Sequence, residues 1–561
     1  MIAFLGVWLW LATLSLGALQ VDLGYAIYKG VEDSATGLTT FKGIRYAAPP
    51  TGSLRWQAPQ TPAVNRSSVI AASDFGPICP QSMNSREPFM SNPGTIGDED
   101  CLSLNVFAPS TASNLPVLVY IHGGGYGGGN GRQDLTSIIN ANQNAFIGVT
   151  IQYRLGAFGF LSSNEVFSKG VVNAGILDQN LALKWVQKYI RHFGGDASRV
   201  TLSGESAGGG SVMLHNIAYG GTLGNSLFSN SITASPYLPM QHKYSDPVPT
   251  KYYNAFATAA GCPIGPTKGS AQTTFSCLVA KDTITLQQAS FNVSASGVYG
   301  SWAFLPVTDG TFIQQRPSQQ LLQKRVNGMI HMAGNNANEG DTFVNPAIVT
   351  QSDLVAWVSE VFPQLTSRDK STLLKLYPAT IAPRTNAVNM YSETTFTCPS
   401  YWLAEAYSAK GSLKSYKYQY SVPYALHSTD MGAYFGPPTI NQGPDFVKAF
   451  QAIWGNFVTA SNPSISAAIA NGRSPPSPNA GNPAANWPTY SCSSPNMINL
   501  NQTGGIEVNV TLPLPPQSVE VLLYIDPGLE NDISMVNAYT FDRGRGARCD
   551  FWRSISSRVP E

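Results

Sequence analysis

Charge is scarce in this sequence. The 34 Lys and Arg and the 33 Asp and Glu make up 12% of 561 residues and leave a net charge of +1. That is about half the usual charged share. Non-specific nucleic-acid binding needs surplus positive charge, so nucleic acid is excluded as a partner. Long apolar runs are scarce too. Beyond residue 20 no stretch supplies the roughly 18 apolar residues of a membrane span, so no transmembrane segment is expected. The C-terminus, Phe551 to Glu561, lacks the apolar tail that directs a lipid anchor. The cysteines match no compact zinc pattern, and neither His-Glu-x-x-His nor a dinucleotide fingerprint occurs. No metal or organic cofactor is therefore expected. No internal repeat and no interdomain linker is visible, which predicts one large domain over residues 21–561. Apolar residues are plentiful: 43% hydrophobic and 11% aromatic, which excludes a mostly disordered chain. A chain of this length buries a deep core without staples.

Residues 1–20 form an apolar run ending in small residues, with no Lys or Arg before it. This predicts a secretory signal cleaved between Gly17 and Gln20 and an extracellular protein. The alternative is a buried N-terminal helix. Secretion permits disulfides. The close pairs Cys79/Cys101 and Cys262/Cys277 would enclose loops, each closure worth about 3 kcal/mol. Seven cysteines leave at least one thiol unpaired within the chain. Asn65, Asn292, Asn501 and Asn509 head glycosylation sequons.

Residues 21–60 read as a meander of short apolar runs broken by Gly and Pro, and residues 80–100 as a polar loop. Leu115–Ile121 is an almost wholly apolar strand, as in a sheet covered on both faces, with Pro116 at its start. Residues 145–153 and 199–203 are further strands, and 178–193 is a helix stopped by Gly194-Gly195. Residues 328–333 and 414–420 add two strands. Residues 350–415 are otherwise mostly helical, and 446–458 is helical. Residues 461–490 are rich in Pro, Asn and Ser and read as surface loop, with short late strands at 508–512 and 518–524. Strand, helix, strand in this order implies a parallel sheet with helices outside.

Two motifs carry chemistry. Gly204-Glu205-Ser206-Ala207-Gly208 fits G-x-S-x-G and follows a strand. Small flanking residues let the chain reverse tightly and lift the hydroxyl clear of the sheet. A helix begins next, with its positive dipole end near the serine. The second motif, His122-Gly-Gly-Gly-Tyr-Gly-Gly-Gly129, also follows a strand. Its adjacent glycines let backbone N–H groups converge on one point. Such donors stabilise the oxyanion of ester hydrolysis, each worth about 3 kcal/mol. The donors predicted here are Gly124 and Gly125, with Ala207 from the elbow. A phosphate loop would want Gly-Lys-Ser/Thr, but Gly129 is followed by Asn130.

The serine needs a base, and the base an orienting carboxylate. Six histidines are available. His122 belongs to the glycine loop, His192 caps a helix, His331 sits in a strand, His215 points away on the elbow helix, and His242 has polar neighbours without a framework. His427 opens a loop after a late strand and fits the order serine, acid, histidine. The acid is expected on the loop after 328–333, with Glu339 first and Asp341 second. Glu205 reads as a buried structural carboxylate. Asp430 lies too near His427 in sequence to be first choice but can support its loop.

These pieces resemble the type B carboxylesterase family, which includes cholinesterases and fungal extracellular lipases. Phe41–Arg55, Glu99-Asp-Cys-Leu-Ser-Leu-Asn105, the His122 loop, Tyr153-Arg-Leu-Gly156, Asn173, Gly175, Asp178-Gln179, Phe193-Gly-Gly-Asp196 and Gly204–Gly209 carry the likeness. Asp309-Gly310, Asn338-Glu-Gly340, His427 and Trp487-Pro-Thr-Tyr490 continue it. The resemblance implies an α/β class chain with an α/β-hydrolase fold, a large mixed, mostly parallel central sheet flanked by helices. It implies the triad Ser206, Glu339 and His427, the oxyanion donors Gly124, Gly125 and Ala207, and an Arg55–Glu99 ion pair. It also implies bridges Cys79–Cys101, Cys262–Cys277 and Cys398–Cys549, leaving Cys492 over. Gln152 stands where the family usually has Asn, and Ser235-Pro236 where it usually has Ser-Gly. Cholinesterases place a Trp for choline within the first bridge, whereas this chain has Phe89 and no Trp there.

The implied activity is a secreted carboxylic-ester hydrolase working through an acyl-enzyme, favouring soluble or small esters. The alternative is a triacylglycerol lipase or sterol esterase with a lid near 80–100. That segment holds Met83, Phe89, Met90 and Ile96 but lacks an amphipathic period. A remote alternative is a non-catalytic adhesion module, which in this family usually loses a triad member. Monomer and homodimer both stay open.

Overall fold

The computed structural model describes residues 19–82, 84–85, 96–265, 272–408, 411–473, 481–514 and 517–559. Residues 1–18 of the expected signal, and Met83, Phe89 and Met90 of the expected lid, lie outside the described residues. The strands in chain order are β1 (Gln20–Asp22), β2 (Ala26–Lys29), β3 (Val31–Asp33), β4 (Leu38–Arg45), β5 (Asn65–Ala71), β6 (Ser103–Pro109) and β7 (Leu115–Ile121). They continue with β8 (Ile147–Ile151), β9 (Gly195–Glu205), β10 (Asn230–Ala234), β11 (Ile330–Asn336), β12 (Lys414–Tyr420), β13 (Asn496–Leu514) and β14 (Gln517–Asn537). β1, β2 and β5 make a small separate sheet. The rest form a central sheet in the order β14-β13-β12-β11-β10-β9-β7-β8-β6-β4-β3. Pairings from β8 through β13 are parallel, and both flanks are antiparallel. This is the expected mixed, mostly parallel sheet with helices outside.

β7 shows why an unbroken apolar run serves here. Val117, Val119 and Ile121 enter the core on one face of the sheet, and Leu118 and Tyr120 the core on the other. Both faces are covered, so polar alternation has no place. The register against β9 shifts between Leu115 and Val117, where Pro116 has no N–H to give. The helix Ala174–Tyr189 lies over one face and continues as a 3-10 turn, Ile190–Phe193. Gly194, at φ 84°, ends it as the sequence predicts. The helix Pro444–Ala460 packs into the opposite core.

Two parts differ from expectation. The short late strands are instead a hairpin of 19 and 21 residues. Glycine and proline, as at Gly504-Gly505 and Asp526-Pro527-Gly528, commonly interrupt strands. In the fold Gly504 pairs with Leu529 and the register shifts before Ile506, so the glycines form a bulge and do not end the strands. The C-terminal helix Phe541–Ser554 has no sequence signal, because its turns contain Gly544 and Gly546 and bury Arg545 and Arg548. Among the described residues of 461–490 there are two short helical turns, Ala467–Asn471 and Pro483–Asn486.

Three disulfides are formed, Cys79–Cys101, Cys262–Cys277 and Cys398–Cys549, and Cys492 is a free, exposed thiol. Beside the first bridge, Arg55 meets Glu99 through two bonds, Nε to Oε2 at 2.8 Å and Nη2 to Oε1 at 2.6 Å. Arg55 also donates to the Val279 carbonyl at 2.9 Å, and Thr283 Oγ1 to Glu99 at 2.6 Å. The pair therefore ties the chain near residue 55 to the segment around 280. Both side chains are buried, so removing one strands the other charge. Glu99→Gln is expected to lower unfolding free energy by about 3–5 kcal/mol in denaturant titration; a loss under about 1 kcal/mol would mean solvent reaches the pair.

Candidate active site

The site forms where β7, β9, β11 and β12 end, at the carboxyl edge of the parallel strands. β9 stops at Glu205 and the helix Ala207–Ile217 starts immediately. The whole reversal falls on Ser206, held at φ 57° and ψ −125°. A non-glycine residue there is strained, and its surroundings must hold it. The Ser206 N–H donates to the Ala234 carbonyl at 3.1 Å, and its own carbonyl accepts from Tyr237 at 3.0 Å and Gly210 at 2.8 Å. Gly208 leaves no room for a side chain, since a Cβ would collide with the Ile121 carbonyl.

His427 lies on the loop after β12, and Glu339 on the loop after β11. His427 Nε2 is 2.8 Å from Ser206 Oγ, and Nδ1 is 2.6 Å from Glu339 Oε2. Glu339 has 0% exposure. Its other oxygen, Oε1, accepts from Ser235 Oγ at 2.6 Å and from the Asn336 N–H at 2.5 Å. The chain thus brings Ser206, His427 and Glu339, 221 and 88 residues apart, into one line of hydrogen bonds. Asp341, the second choice as acid, instead pairs with Arg384 at 2.6 Å.

The glycine loop leans on the serine. A Cβ at Gly123 would come within 2.8 Å of Ser206 Cβ. Gly124 and Gly125 have φ of 106° and 61°, a region that favours glycine. The Gly124 carbonyl accepts from Gly127 at 3.1 Å and Gly128 at 2.8 Å, which fixes the turn. Among the described residues, no acceptor occupies the N–H of Gly124, Gly125 or Ala207.

The remaining histidines lie elsewhere. His122 stacks on Tyr153 and has Nδ1 2.8 Å from the Gly123 carbonyl; burial pushes it down to about 4. His215 sits 3.2 Å from Gln179 Oε1, and burial lowers it to about 3. His331 lies between Ser231 and Thr233 in the core. His192 stands in the 3-10 turn before Gly194, and His242 lies 3.9 Å from Asp246.

Three buried carboxylates surround His427. Glu205 Oε1 is 3.5 Å from its Nε2 and accepts from Ser428 Oγ at 2.6 Å. Glu205 is therefore buried, as the sequence suggests, but also faces the histidine directly. Burial raises the Glu205 carboxyl, against the pull of His427 and Ser428. Asp430 accepts from Asn336 Nδ2 at 3.2 Å, and burial, with the charges of Glu205 and Glu339, raises it to about 8. His427 itself is pushed down by burial, but Glu205 and the Glu339 hydrogen bond outweigh this and leave it above its ordinary value.

Sequence reasoning missed several neighbours. Ser235 fills the family's Ser position, and the following proline does not prevent its bond to Glu339. Trp302 lies against Gly125 and Gly127. Phe343 and Phe396 pack against the His427 ring at 5.2 and 4.4 Å. A cavity of about 330 Å³ is lined by Tyr237, Met240, Trp302, Phe304, Trp357 and Tyr391 among others. Tyr237 and Trp302 connect it to the site, through the Ser206 carbonyl and the glycine loop. Among the described residues no cluster of His, Cys, Asp and Glu is arranged to hold a metal ion, and no helix is long and apolar enough to cross a membrane.

Residues 20–512 match the Carboxylesterase family. The chain belongs to that family. It is similar to "Lipase 2" of Geotrichum candidum, 33% identical over 382 residues, covering 61% of this chain and 67% of that protein. It is similar to "Carboxylesterase patB" of Aspergillus clavatus, 31% identical over 487 residues, covering 75% and 84%. The crystal structure of Aspergillus niger EstA superposes with a TM-score of 0.77 at 27% identity, covering 97% of this chain and 99% of that one. The chain is thus a carboxylic ester hydrolase with the α/β-hydrolase fold.

With His427 as the general base, the role proposed below, the acid limb of this esterase follows from the charges around that ring. Raised above its ordinary value, the histidine keeps its proton to higher pH, so kcat/KM should rise with a midpoint above about 6.5. Glu205→Gln removes a charge that holds the proton and should move that midpoint to lower pH. A midpoint that stays in place would deny Glu205 any influence on the imidazole.

Proposed function

We propose that the protein is an extracellular serine esterase in which Ser206 is the nucleophile, His427 the base and Glu339 the orienting acid. His427 Nε2 takes the Ser206 proton as Oγ bonds to the ester carbonyl carbon. The carbonyl oxygen, now negative, is held by the N–H groups of Gly124, Gly125 and Ala207. Collapse breaks the bond to the alcohol oxygen, which leaves with the proton from His427. Water then repeats the sequence on the acyl-enzyme and releases the acid. The single observation that carries this reading is the line from Ser206 Oγ to His427 at 2.8 Å and on to Glu339 at 2.6 Å, with the glycine loop against the serine.

The preferred substrate is a soluble ester with a small acyl group. What supports this is Trp302, whose ring packs where a Cβ on Gly125 would stand, close against the glycine loop. A second reading, a lipase, is favoured by relatives bearing that name, among them "Secreted lipase ARB07186/07185" of Arthroderma benhamiae, 29% identical over 510 residues. We take residues 1–20 as a removed signal and 21–561 as one domain. Secreted relatives and three disulfides support export. Asn65, Asn292 and Asn509 are exposed and suited to glycosylation, while Asn501 is half-buried.

An ester panel graded by acyl length tests both parts. Ser206→Ala should lower kcat about 10⁴-fold or more while leaving the fold intact. Wild-type enzyme should hydrolyse dissolved short-chain esters faster than emulsified long-chain ones. Full turnover in Ser206→Ala would remove the serine mechanism. A jump in rate once long-chain ester exceeds its solubility would turn the assignment to lipase.

A further inference from the structure

A five-residue π turn, Glu393–Thr397, interrupts the helices Pro383–Ser392 and Cys398–Tyr407. Such widened turns are rare and recur at functional sites. All five residues are buried. The turn faces the site at two points. The Thr395 carbonyl accepts from the Leu238 N–H at 2.8 Å, and the preceding residue, Tyr237, donates to the Ser206 carbonyl at 3.0 Å. The Phe396 ring lies 4.4 Å from the His427 ring and 5.6 Å from Phe343, which covers another side of the same imidazole.

The opposite side of the turn is gripped at both ends by one helix. Glu393, its first residue, receives three bonds from Arg548, at 2.7, 2.9 and 3.0 Å. Cys398, the residue after its last, is bonded to Cys549. Arg548 and Cys549 are neighbours on the C-terminal helix Phe541–Ser554. A third contact reinforces the first: Trp552 Nε1 donates to Tyr377 OH at 2.9 Å, and Tyr377 OH donates to Glu393 Oε2 at 2.5 Å. Buried ion pairs of this kind add little stability over apolar packing, so fixing a geometry is a use consistent with their presence.

We infer that the Glu393–Thr397 turn positions the His427 ring for proton transfer, and that the C-terminal helix is the clamp that holds the turn in place. Phe396 and Arg548 are then positioning residues, and the Cys398–Cys549 bridge couples activity to the oxidation state of the chain's C-terminal end. The inference rests on His427 being the base. The groups facing that imidazole are Glu205, Glu339 and Asp430, with Ser206 and Ser428 beside them; the turn itself offers only the Phe396 ring. Phe396 acts by excluding water and fixing ring orientation, since burial is what opposes protonation of His427.

The test uses the full-length enzyme as Phe396→Leu, Cys398→Ser/Cys549→Ser and Ser206→Ala, assayed on one soluble short-chain ester. Phe396→Leu should lose about 10- to 100-fold in kcat, as expected for a misplaced base, with KM changed less than about 2-fold. Its acid limb should move to higher pH, because water admitted beside the ring weakens the burial that opposes protonation. The double cysteine variant should show the same kcat-selective loss, in protein whose circular dichroism at assay temperature matches wild type. Wild-type kcat and an unmoved limb in folded Phe396→Leu would overturn the inference, whatever the cysteine variant does. So would a loss in either variant that appears in KM alone. If Ser206→Ala stays active, the serine reading fails first; if it is dead while Phe396→Leu behaves as wild type, only the positioning role fails.

Discussion

A carboxylate with no exposure to water is expensive unless each oxygen finds donors. Glu339 meets that condition through Ser235, the Asn336 N–H and His427. The last donor has consequences for everything around it. The histidine that satisfies the carboxylate is fixed in orientation, with its other nitrogen aimed at Ser206 Oγ. Satisfying one buried charge therefore aligns three residues from distant parts of the chain. Glu205 adds its charge beside the same ring, and with the Glu339 hydrogen bond it outweighs burial and leaves the imidazole above its ordinary value.

The sheet makes that alignment possible. β7, β9, β11 and β12 run parallel, so their carboxyl ends open on one edge. Each is followed by one loop of the site: the glycines after β7, Ser206 after β9, Glu339 after β11 and His427 after β12. Most side chains of these strands are buried, and the loops beyond their ends carry Ser206, Glu339 and His427. The strands hold the loops within hydrogen-bond reach, and the helix Ala207–Ile217 starts directly after Ser206 with its positive dipole end toward the serine. The aromatic rings of Tyr237, Trp302, Phe343 and Phe396 pack against one another beside the site, with Phe343 and Phe396 against the His427 ring.

The sheet and its edge were legible because each feature is local in sequence. An apolar run, a glycine tract and a small-residue elbow announce themselves within ten residues, and the order serine, acid, histidine narrows six histidines to His427. What escaped is not local. Ser235 is legible only once β10 is known to sit beside β11. Glu205 reads as structural until Ser428 and His427 fold over it. Phe396 lies 31 positions before the histidine it touches and looks like any core aromatic. The hairpin of β13 and β14 runs well beyond the short strands expected at 508–512 and 518–524, because a bulge between Gly504 and Ile506 lets the pairing continue past the glycines. The C-terminal helix hides its role because its buried arginines make sense only against Glu393.

The most direct test of the account is covalent. Enzyme inactivated with a p-nitrophenyl alkylphosphonate, then digested and examined by mass spectrometry, should carry one phosphonyl group per chain on the peptide containing Ser206. His427→Ala should take up the label far more slowly, because the hydroxyl has lost its base. A label placed on any other residue, or full esterase activity in protein whose Ser206 is fully modified, would contradict the central claim.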